Sequence, residues 1–188
     1  GVIARQLGYD EMTAELLELA APLHDMGKIG IPDAILKKPG KLDRDEFEIM
    51  KTHCTLGKQA FDAVSNEQYC TLASHTVVGE QYLRNSRSPI LEIAGRIAMT
   101  HHEKWDGSGY PLGLSGEEIP IEGRITAVAD VFDAVSSTRP YKEAFALEKC
   151  FKIMEEGRGS HFDPRVLDAF FAVKQQIIAI RCELSDDE

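Results

Sequence analysis

The chain has 188 residues, of which 43% are hydrophobic, and its 31 acidic and 21 basic side chains give a formal net charge of −10. This length predicts one domain, or one domain with a small appendage, and the apolar content is sufficient for a core. The acidic charge argues against binding DNA through its phosphates. We recognise no signal peptide and no apolar run of membrane-spanning length, and the four cysteines lack Cys-x-x-Cys spacing. A reducing cytoplasm is therefore the expected environment.

The first residues read as the second half of a helix that Gly8 ends, so the chain is expected to be a piece of a longer protein. Asp10 is a suitable N-cap for a helix over 11–26. Pro22 lies inside this segment and should bend the helix near its end. Gly27 is then predicted to end it.

The end of this helix carries His24 and Asp25, which offer a neutral nitrogen and an anionic oxygen to one or two divalent metals. Lys28 follows as a cation that would meet a phosphate held near the metal. The dipeptide alone is weak support for a metal site, because a lone histidine on an apolar helix face is usually a hydrogen-bonded core residue.

Residues 29–40 read as a loop with one short helical turn, after which Asp43 and Glu46 form a capping box that starts the next helix. His53 falls on the apolar face of that helix. It is either a core histidine or a second metal nitrogen, and the spacing leaves both open. Cys54 is expected to point away from this face as a small core residue.

Pro89 opens another helix, which leads to the adjacent His101 and His102. Neighbouring helical side chains diverge by about 100°, so two such histidines can share a metal only near a helix end. The turn-forming residues 103–111 place them at such an end. A nucleoside-triphosphate loop is excluded, because no Gly-x-x-x-x-Gly-Lys-Ser/Thr pattern is present.

A helix is predicted over 120–138, with Asp130 among small apolar side chains. A carboxylate in such surroundings needs a cation or donors, which makes it a good ligand candidate. Asp133 is ambiguous between a supporting and a structural role. Arg139 and Lys142 come directly after this helix, and taken alone they read as a solvated helix end whose charges complement the helix dipole.

Further helices are predicted over about 67–84, over 147–156 and after the N-cap Asp163. His75 and His161 join no pattern that identifies a ligand. No segment shows the alternation of a strand. The sequence therefore predicts an all-α fold of about six to eight helices.

Two sets of residues carry a resemblance to a known family. His24-Asp25 with Lys28, followed far downstream by Asp130, resembles the HD superfamily of metal-dependent phosphohydrolases. A second stretch resembles the signature of the HD-GYP subfamily, namely His101-His102-Glu103-x-x-Asp106-Gly107-x-Gly109-Tyr110-Pro111. The likeness runs from about residue 20 to 171, with supporting matches at Ile31-Pro32-Asp33, Lys38 to Leu42, His53 with Gly57, Ala129 to Ala134, and Arg139 to Lys142.

This resemblance implies a helical-bundle phosphodiesterase that hydrolyses cyclic di-GMP to pGpG, GMP or both, by a hydroxide that bridges two metals. The cofactors would be two or three divalent ions, iron or manganese ahead of zinc. By the motif match the metal ligands would be His24, Asp25, His53, His101, His102 and Asp130, with Asp25 bridging two ions. Catalysis would involve Asp25 and Lys28, and the substrate would contact Lys28, Gly109, Tyr110, Pro111, Arg139 and Lys142.

The domain would then cover 1–180, followed by a frayed acidic tail at 181–188. Family members usually have a further ligand histidine, and some a glutamate, farther upstream than the 23 residues that precede His24, so this piece is expected to hold its first metal weakly and to be impaired. Expected partners are cyclic di-GMP, an N-terminal receiver or sensor domain, and a second copy or a GGDEF-type protein. The alternatives are a non-catalytic cyclic di-GMP-binding module and an HD hydrolase for another nucleotide.

Overall fold

Helices account for all of the regular structure in the described part of the chain. A computed structural model of the protein describes residues 1–63, 88–137 and 144–185. Its α-helices are α1 (Val2–Gln6), α2 (Glu11–Ala20), α3 (Asp33–Leu36), α4 (Arg44–Ala63), α5 (Pro89–Thr100), α6 (Ile121–Ser136), α7 (Leu147–Glu156), α8 (Pro164–Ala172) and α9 (Lys174–Ser185). Three 3₁₀ turns lie at Ala21–Leu23, Met26–Gly30 and Gly116–Glu118. The prediction of an all-α fold is confirmed.

The described residues contain nine α-helices, which exceeds the predicted six to eight. One reason is α3, a four-residue helix within the predicted 29–40 loop. The other is the C-terminal segment, which we expected to be one helix and which divides into α8 and α9. The helix predicted over 67–84 lies outside the described residues.

Helix α5 lies at the centre of the bundle, where it packs against α2, α4 and α6. Its apolar side chains at three- and four-residue spacing are fully or almost fully buried, as this spacing predicts for a core helix; they include Ile93, Ala94, Ile97 and Ala98. The last turn of α5 therefore lies inside the protein, and the two residues that follow it lie close to α4.

Local sequence signals located the helix starts correctly. The carboxylate of Asp10 accepts a hydrogen bond from the Thr13 amide at 2.8 Å, and α2 begins at the next residue. Asp43 and Glu46 form the predicted capping box, each accepting from the other's backbone N–H. Asp163 caps α8 as expected.

The predicted helix over 11–26 is wrong in its second half. Helix α2 ends at Ala20, and two 3₁₀ turns replace its expected last turns. Pro22 lies in the first of them, because proline has no N–H for the α-helical bond and its ring crowds the carbonyl four residues earlier. The chain therefore makes a tight corner, and His24 and Asp25 lie in that corner.

Among the described residues, no helix combines the length and the apolar composition that crossing a membrane requires. Helix α9 continues to Ser185, so residues 181–185 of the acidic tail are helical. The division into a domain at 1–180 and a tail at 181–188 stays a prediction.

Candidate metal centre

Three histidines are oriented by the backbone in the same way. In each, Nδ1 lies within hydrogen-bonding distance of a carbonyl three or four residues earlier: His24 with Ala21 (2.7 Å), His53 with Met50 (2.7 Å) and His101 with Ile97 (2.9 Å). A carbonyl can only accept, so Nδ1 must carry the ring proton and donate it. The Nε2 atom of each neutral ring is then left with a free lone pair, as a metal ligand requires.

These Nε2 atoms converge on the carboxylate of Asp25. Its Oδ1 lies 3.5 Å from Nε2 of His53 and 3.8 Å from Nε2 of His101. Its Oδ2 lies 3.4 Å from Nε2 of His24, which is also 3.8 Å from Oδ1 of Asp130. The corner between the 3₁₀ turns, the middle of α4 and the end of α5 thus meet at Asp25, and α6 reaches the same place through Asp130 beside His24.

The nitrogen and oxygen atoms at this point cannot all be paired by hydrogen bonds, because too few of them carry a proton. Nε2 of His53 and Nε2 of His101 are 3.5 Å apart, and with Nδ1 as the donor on both rings neither can donate to the other. The Oδ1 atom of Asp25 is buried and receives no hydrogen bond from any described residue. Leaving acceptors buried together without a donor is costly, and a cation removes the cost. The cluster is therefore suited to a divalent metal ion.

Two overlapping groups of ligand atoms result, and His101 belongs to both. One group comprises His24, Asp25 and His101, and the other comprises His53, Cys54, His101 and His102. Within each group the ligand atoms lie within 4.8 Å of one another. The two oxygens of Asp25 face different histidines, Oδ2 toward His24 and Oδ1 toward His53 and His101, which is the position that a bridging carboxylate needs.

The adjacent His101 and His102 reach the same cluster because α5 ends at Thr100. Their ring centroids are only 4.0 Å apart, so the divergence of neighbouring helical side chains is overcome at the helix end. On its other side the ring of His102 stacks on Tyr110 with a centroid separation of 4.8 Å. Tyr110 thus lies directly against the cluster.

Lys28 lies at the exposed side of the cluster. Its ammonium donates to Oδ2 of Asp25 at 2.5 Å, and 40% of its side chain is exposed. Burial opposes the charge on Asp25, but in the metal-free protein the protonated His24 ring and the Lys28 ammonium outweigh it and hold the pKa of this carboxyl well below its ordinary value, while Asp25 raises the pKa of His24. The carboxylate is therefore ionised at neutral pH and available to a metal.

Gly27 does not end a helix, contrary to the prediction, because it lies within the 3₁₀ turn Met26–Gly30. Its role is close packing. A Cβ atom here would lie 1.9 Å from the carbonyl oxygen of His53 and 2.5 Å from the amide of Gly57. The absence of a side chain lets the turn that carries Asp25 and Lys28 touch the backbone of α4 beside His53.

Glu103 organises the loop that carries Gly109, Tyr110 and Pro111. Its buried carboxylate accepts hydrogen bonds from the backbone amides of Leu112 at 2.7 Å and Leu114 at 3.1 Å. Gly109 permits this fold, because a Cβ there would lie 2.3 Å from the amide of Lys104. The loop consequently turns back toward α5 and positions Tyr110 on His102.

We expect the Glu103→Gln variant to lose about 1–3 kcal/mol of unfolding free energy, because the buried amide has one acceptor oxygen for two backbone N–H donors and its own NH₂ group faces one of them. Denaturant unfolding would measure this loss. Glu118→Gln is the matched control, since Glu118 is an exposed carboxylate that accepts a hydrogen bond from Ser115 in the capping box at the end of the same loop. Equal stability of the two variants would contradict this role of Glu103.

Burial makes ring protonation unfavourable at His53, His101 and His102, whereas the neighbouring carboxylates raise the pKa of His24. Burial lowers the pKa of His101 to about 4 and that of His102 to about 3, and adjacent histidine rings add to the effect. In the unfolded chain these rings take up protons near their ordinary pKa of 6.5. Between these values the unfolded chain binds more protons than the folded protein, so the free energy of unfolding must fall as the pH falls.

We therefore expect His101 alone to reduce the unfolding free energy of the metal-free protein by on the order of 3 kcal/mol between pH 6.5 and about pH 4. Urea unfolding at a series of pH values would measure this dependence. The His101→Gln variant cannot titrate at this position and should show a shallower dependence. A pH dependence that is the same in both proteins would contradict the assignment.

Arg139, Lys142 and His75 are outside the described residues. Asp133 and His161, two further residues discussed from the sequence, are described and have other neighbours. Asp133 is exposed and accepts a hydrogen bond from the Ser137 hydroxyl at 2.9 Å. His161 stacks on the ring of Phe162, in the loop after α7.

Cys54 faces a different way from the one predicted, and Glu103 has a role that was not predicted from the sequence. Cys54 was expected to point away from the ligand face, yet its Sγ lies 3.5 Å from Nε2 of His53 because the imidazole folds back over its own helix turn. Glu103 was noticed only as part of a motif. Its position directly after two histidines was the signal available, but its bonds to residues nine and eleven positions later could not be read from spacing.

Comparison with known proteins identifies the family. The family model described as "HD domain" matches residues 1–166. A "Cyclic di-GMP phosphodiesterase" of Vibrio cholerae is 48% identical over 92% of this chain and 32% of its own length. The "Cyclic di-GMP phosphodiesterase response regulator RpfG" of Xanthomonas campestris is 44% identical over 94% of this chain and 41% of its own. A "3'3'-cGAMP-specific phosphodiesterase 2" of Vibrio cholerae is 40% identical over 98% of this chain and 31% of its own.

This chain therefore spans less than half the length of these relatives. The matched residues include the corner with His24 and Asp25, the helices that carry His53 and His101, and Asp130. The chain belongs to the HD domain family, and the predicted relationship to its HD-GYP branch is confirmed.

Proposed function

We propose that this domain is a metal-dependent phosphodiesterase that hydrolyses cyclic di-GMP to pGpG, GMP or both. The observation that carries the proposal is the convergence of the proton-free Nε2 atoms of His53 and His101 on the buried Oδ1 of Asp25, with Nε2 of His24 and the Lys28 ammonium at Oδ2 of the same carboxylate. The relatives named as cyclic di-GMP phosphodiesterases support this substrate.

Two or three divalent ions would be held by the cluster. Asp25 would bridge two of them, one completed by His24 and Asp130 and the other by His53, His101 and His102. A set of imidazoles and carboxylates suits iron or manganese, and also zinc, better than magnesium or calcium, which prefer oxygen ligands. When bound, such ions activate water and stabilise negative charge on the phosphate.

The residues of the chain would bind and orient the substrate. Lys28, half exposed at the cluster, would place its ammonium beside the scissile phosphate or the leaving oxygen. Gly109, Tyr110 and Pro111 would shape the pocket, because Glu103 holds their loop against His102. Arg139 and Lys142 would grip phosphate oxygens, a role that rests on the motif match alone.

The wider setting of the domain is also proposed. The domain would act in the cytoplasm as the output of a longer signalling protein with an N-terminal receiver or sensor domain, in line with the relative named as a response regulator. A second copy or a GGDEF-type protein would be a further partner. The described cysteines 54, 150 and 182 are free thiols, which is compatible with that compartment.

A second candidate substrate is 3'3'-cGAMP, because one relative named for it is 40% identical over almost the whole chain. Both molecules present the same phosphodiester to a metal centre and differ in one base. Discrimination between them would depend on contacts with the bases rather than on the metal ligands.

The test is hydrolysis of a nucleotide panel by the protein loaded anaerobically with Fe²⁺ or Mn²⁺. The panel contains cyclic di-GMP, 3'3'-cGAMP and cyclic di-AMP, and the products are separated by chromatography. Preferred turnover of cyclic di-GMP, lost in Asp25→Asn, would support the proposal. Preferred turnover of 3'3'-cGAMP would replace the substrate, and binding of cyclic di-GMP without turnover by any loaded form would favour the non-catalytic alternative.

A further inference from the structure

Cys54 is placed among the ligand atoms rather than behind them. Its side chain is fully buried, its Sγ lies 3.5 Å from Nε2 of His53, and this sulfur lies within 4.8 Å of ligand nitrogens of His53, His101 and His102. A buried cysteine on a core helix ordinarily packs against apolar atoms. This one faces imidazole nitrogens.

The space between Cys54 and the histidines is lined by buried acceptor atoms that carry no proton. His53 and His101 are 1% and 2% exposed, and both direct a proton-free Nε2 into it. The thiol of Cys54 has one proton. That proton can be donated to only one of the two Nε2 atoms, so the other nitrogen has no hydrogen-bond donor among the described residues. A cation placed between these atoms satisfies all of them at once.

The separations match those of ligands that share one ion. Metal–sulfur bonds of about 2.3 Å and metal–nitrogen bonds of about 2.0–2.1 Å, arranged tetrahedrally, place sulfur about 3.5 Å from nitrogen and two nitrogens about 3.4 Å apart. The observed values are 3.5 Å from Sγ of Cys54 to Nε2 of His53, and 3.5 Å between Nε2 of His53 and Nε2 of His101.

We propose that the Sγ atom of Cys54 is a ligand of the ion held by His53, His101 and His102. On binding, the S–H bond breaks, the proton leaves to solvent, and the sulfur lone pair forms the bond to the metal. This inference rests on the proposed metal centre and adds a soft ligand to one of its positions. A thiolate at that position favours Fe²⁺, Co²⁺ or Zn²⁺ over Mn²⁺, because manganese prefers oxygen ligands.

The test uses Co²⁺ as the probe, because a thiolate bound to Co²⁺ gives a charge-transfer absorption in the near ultraviolet that imidazole and carboxylate ligands do not give. The metal-free protein, Cys54→Ala, Cys54→Ser and Cys182→Ser would be titrated anaerobically with Co²⁺. Cys182 is exposed on α9 and controls for unspecific thiol binding. We expect the band in the unmodified protein and in Cys182→Ser, its absence in both Cys54 variants, and an affinity for Co²⁺ that is at least tenfold lower in those variants.

Far-ultraviolet circular dichroism of the metal-free variants confirms that they are folded, and the serine variant covers the case in which alanine disturbs the core. A cobalt complex without the band, a band that persists in Cys54→Ala, or no cobalt complex at all would overturn the inference. Hydrolysis of cyclic di-GMP is measured separately with Mn²⁺. Turnover without the band refutes only the role of Cys54, whereas the band without turnover by any metal form refutes only the proposed function.

Discussion

We expect the His101→Ala variant to lose both the bound metal and the hydrolysis of cyclic di-GMP, the latter by at least about 1,000-fold, or about 4 kcal/mol in the activation barrier. His101 is the residue shared by the two groups of ligand atoms, so its removal weakens both positions at once. Its Nε2 lies 3.8 Å from Asp25 and 3.5 Å from His53, and alanine leaves both without this neighbour. Metal analysis after anaerobic loading and product chromatography would be performed on the same samples.

His161→Ala is the matched control, because it also removes an imidazole but one that stacks on Phe162 outside the cluster. We expect this variant to keep its metal and to change turnover by less than about threefold, a difference below 1 kcal/mol. Retention of a full complement of metal by His101→Ala would contradict the ligand assignment. Retention of metal with loss of turnover would instead assign His101 to binding or orienting the substrate.

The second large effect is expected from Gly27→Ala, a change of one methyl group. The added Cβ would lie 1.9 Å from the carbonyl oxygen of His53 and 2.5 Å from the amide of Gly57. Both are backbone atoms of α4, so no side chain can rotate away, and the 3₁₀ turn must separate from the helix. We expect a loss of about 3 kcal/mol or more in unfolding free energy. Because that turn carries Asp25 and Lys28, metal affinity should fall together with stability.

Gly95→Ala provides the comparison, since it also replaces a helix-contacting glycine in the core. Its added Cβ would lie 3.8 Å from Cβ of Phe61, which is an ordinary contact. Alanine in the middle of α5 should stabilise the protein by about 0.5–1 kcal/mol through its helix propensity. Urea unfolding of the two metal-free variants should give changes in unfolding free energy of opposite sign, a loss for Gly27→Ala and a gain for Gly95→Ala. Equal effects would show that the approach of the turn to α4 is not as close as described.

Features that depend on neighbouring residues in the sequence were predicted well. The caps at Asp10, Asp43 and Asp163 act within one turn, so the residues that make the bonds can be read directly from the chain. The end of α5 at the paired histidines was also predicted, because the turn-forming residues after it cannot continue a helix.

The errors concern contacts between distant segments. Gly27 was read as a helix stop, whereas its role is the approach of a turn to α4, which lies far along the chain. Cys54 was assigned to the core from an ideal helical wheel, and such a wheel does not show that the His53 ring folds back over its own turn. Spacing alone left His53 open between a core residue and a metal ligand, and the position of Asp25 beside it supports the prediction of a ligand.

The hydrogen bonds from the three histidines to backbone carbonyls have a consequence for which changes in the protein would weaken the proposed metal centre. In many metal sites a side chain orients the ligand, and a single substitution in that side chain can weaken the site. Here the orienting acceptors at Ala21, Met50 and Ile97 belong to the main chain, so sequence drift at these positions leaves them in place. Unwinding of one turn removes the anchor instead. We therefore expect the proposed metal centre to tolerate substitutions at these three positions, and its metal affinity to depend on the local stability of the turn at 21–23, the middle of α4 and the end of α5.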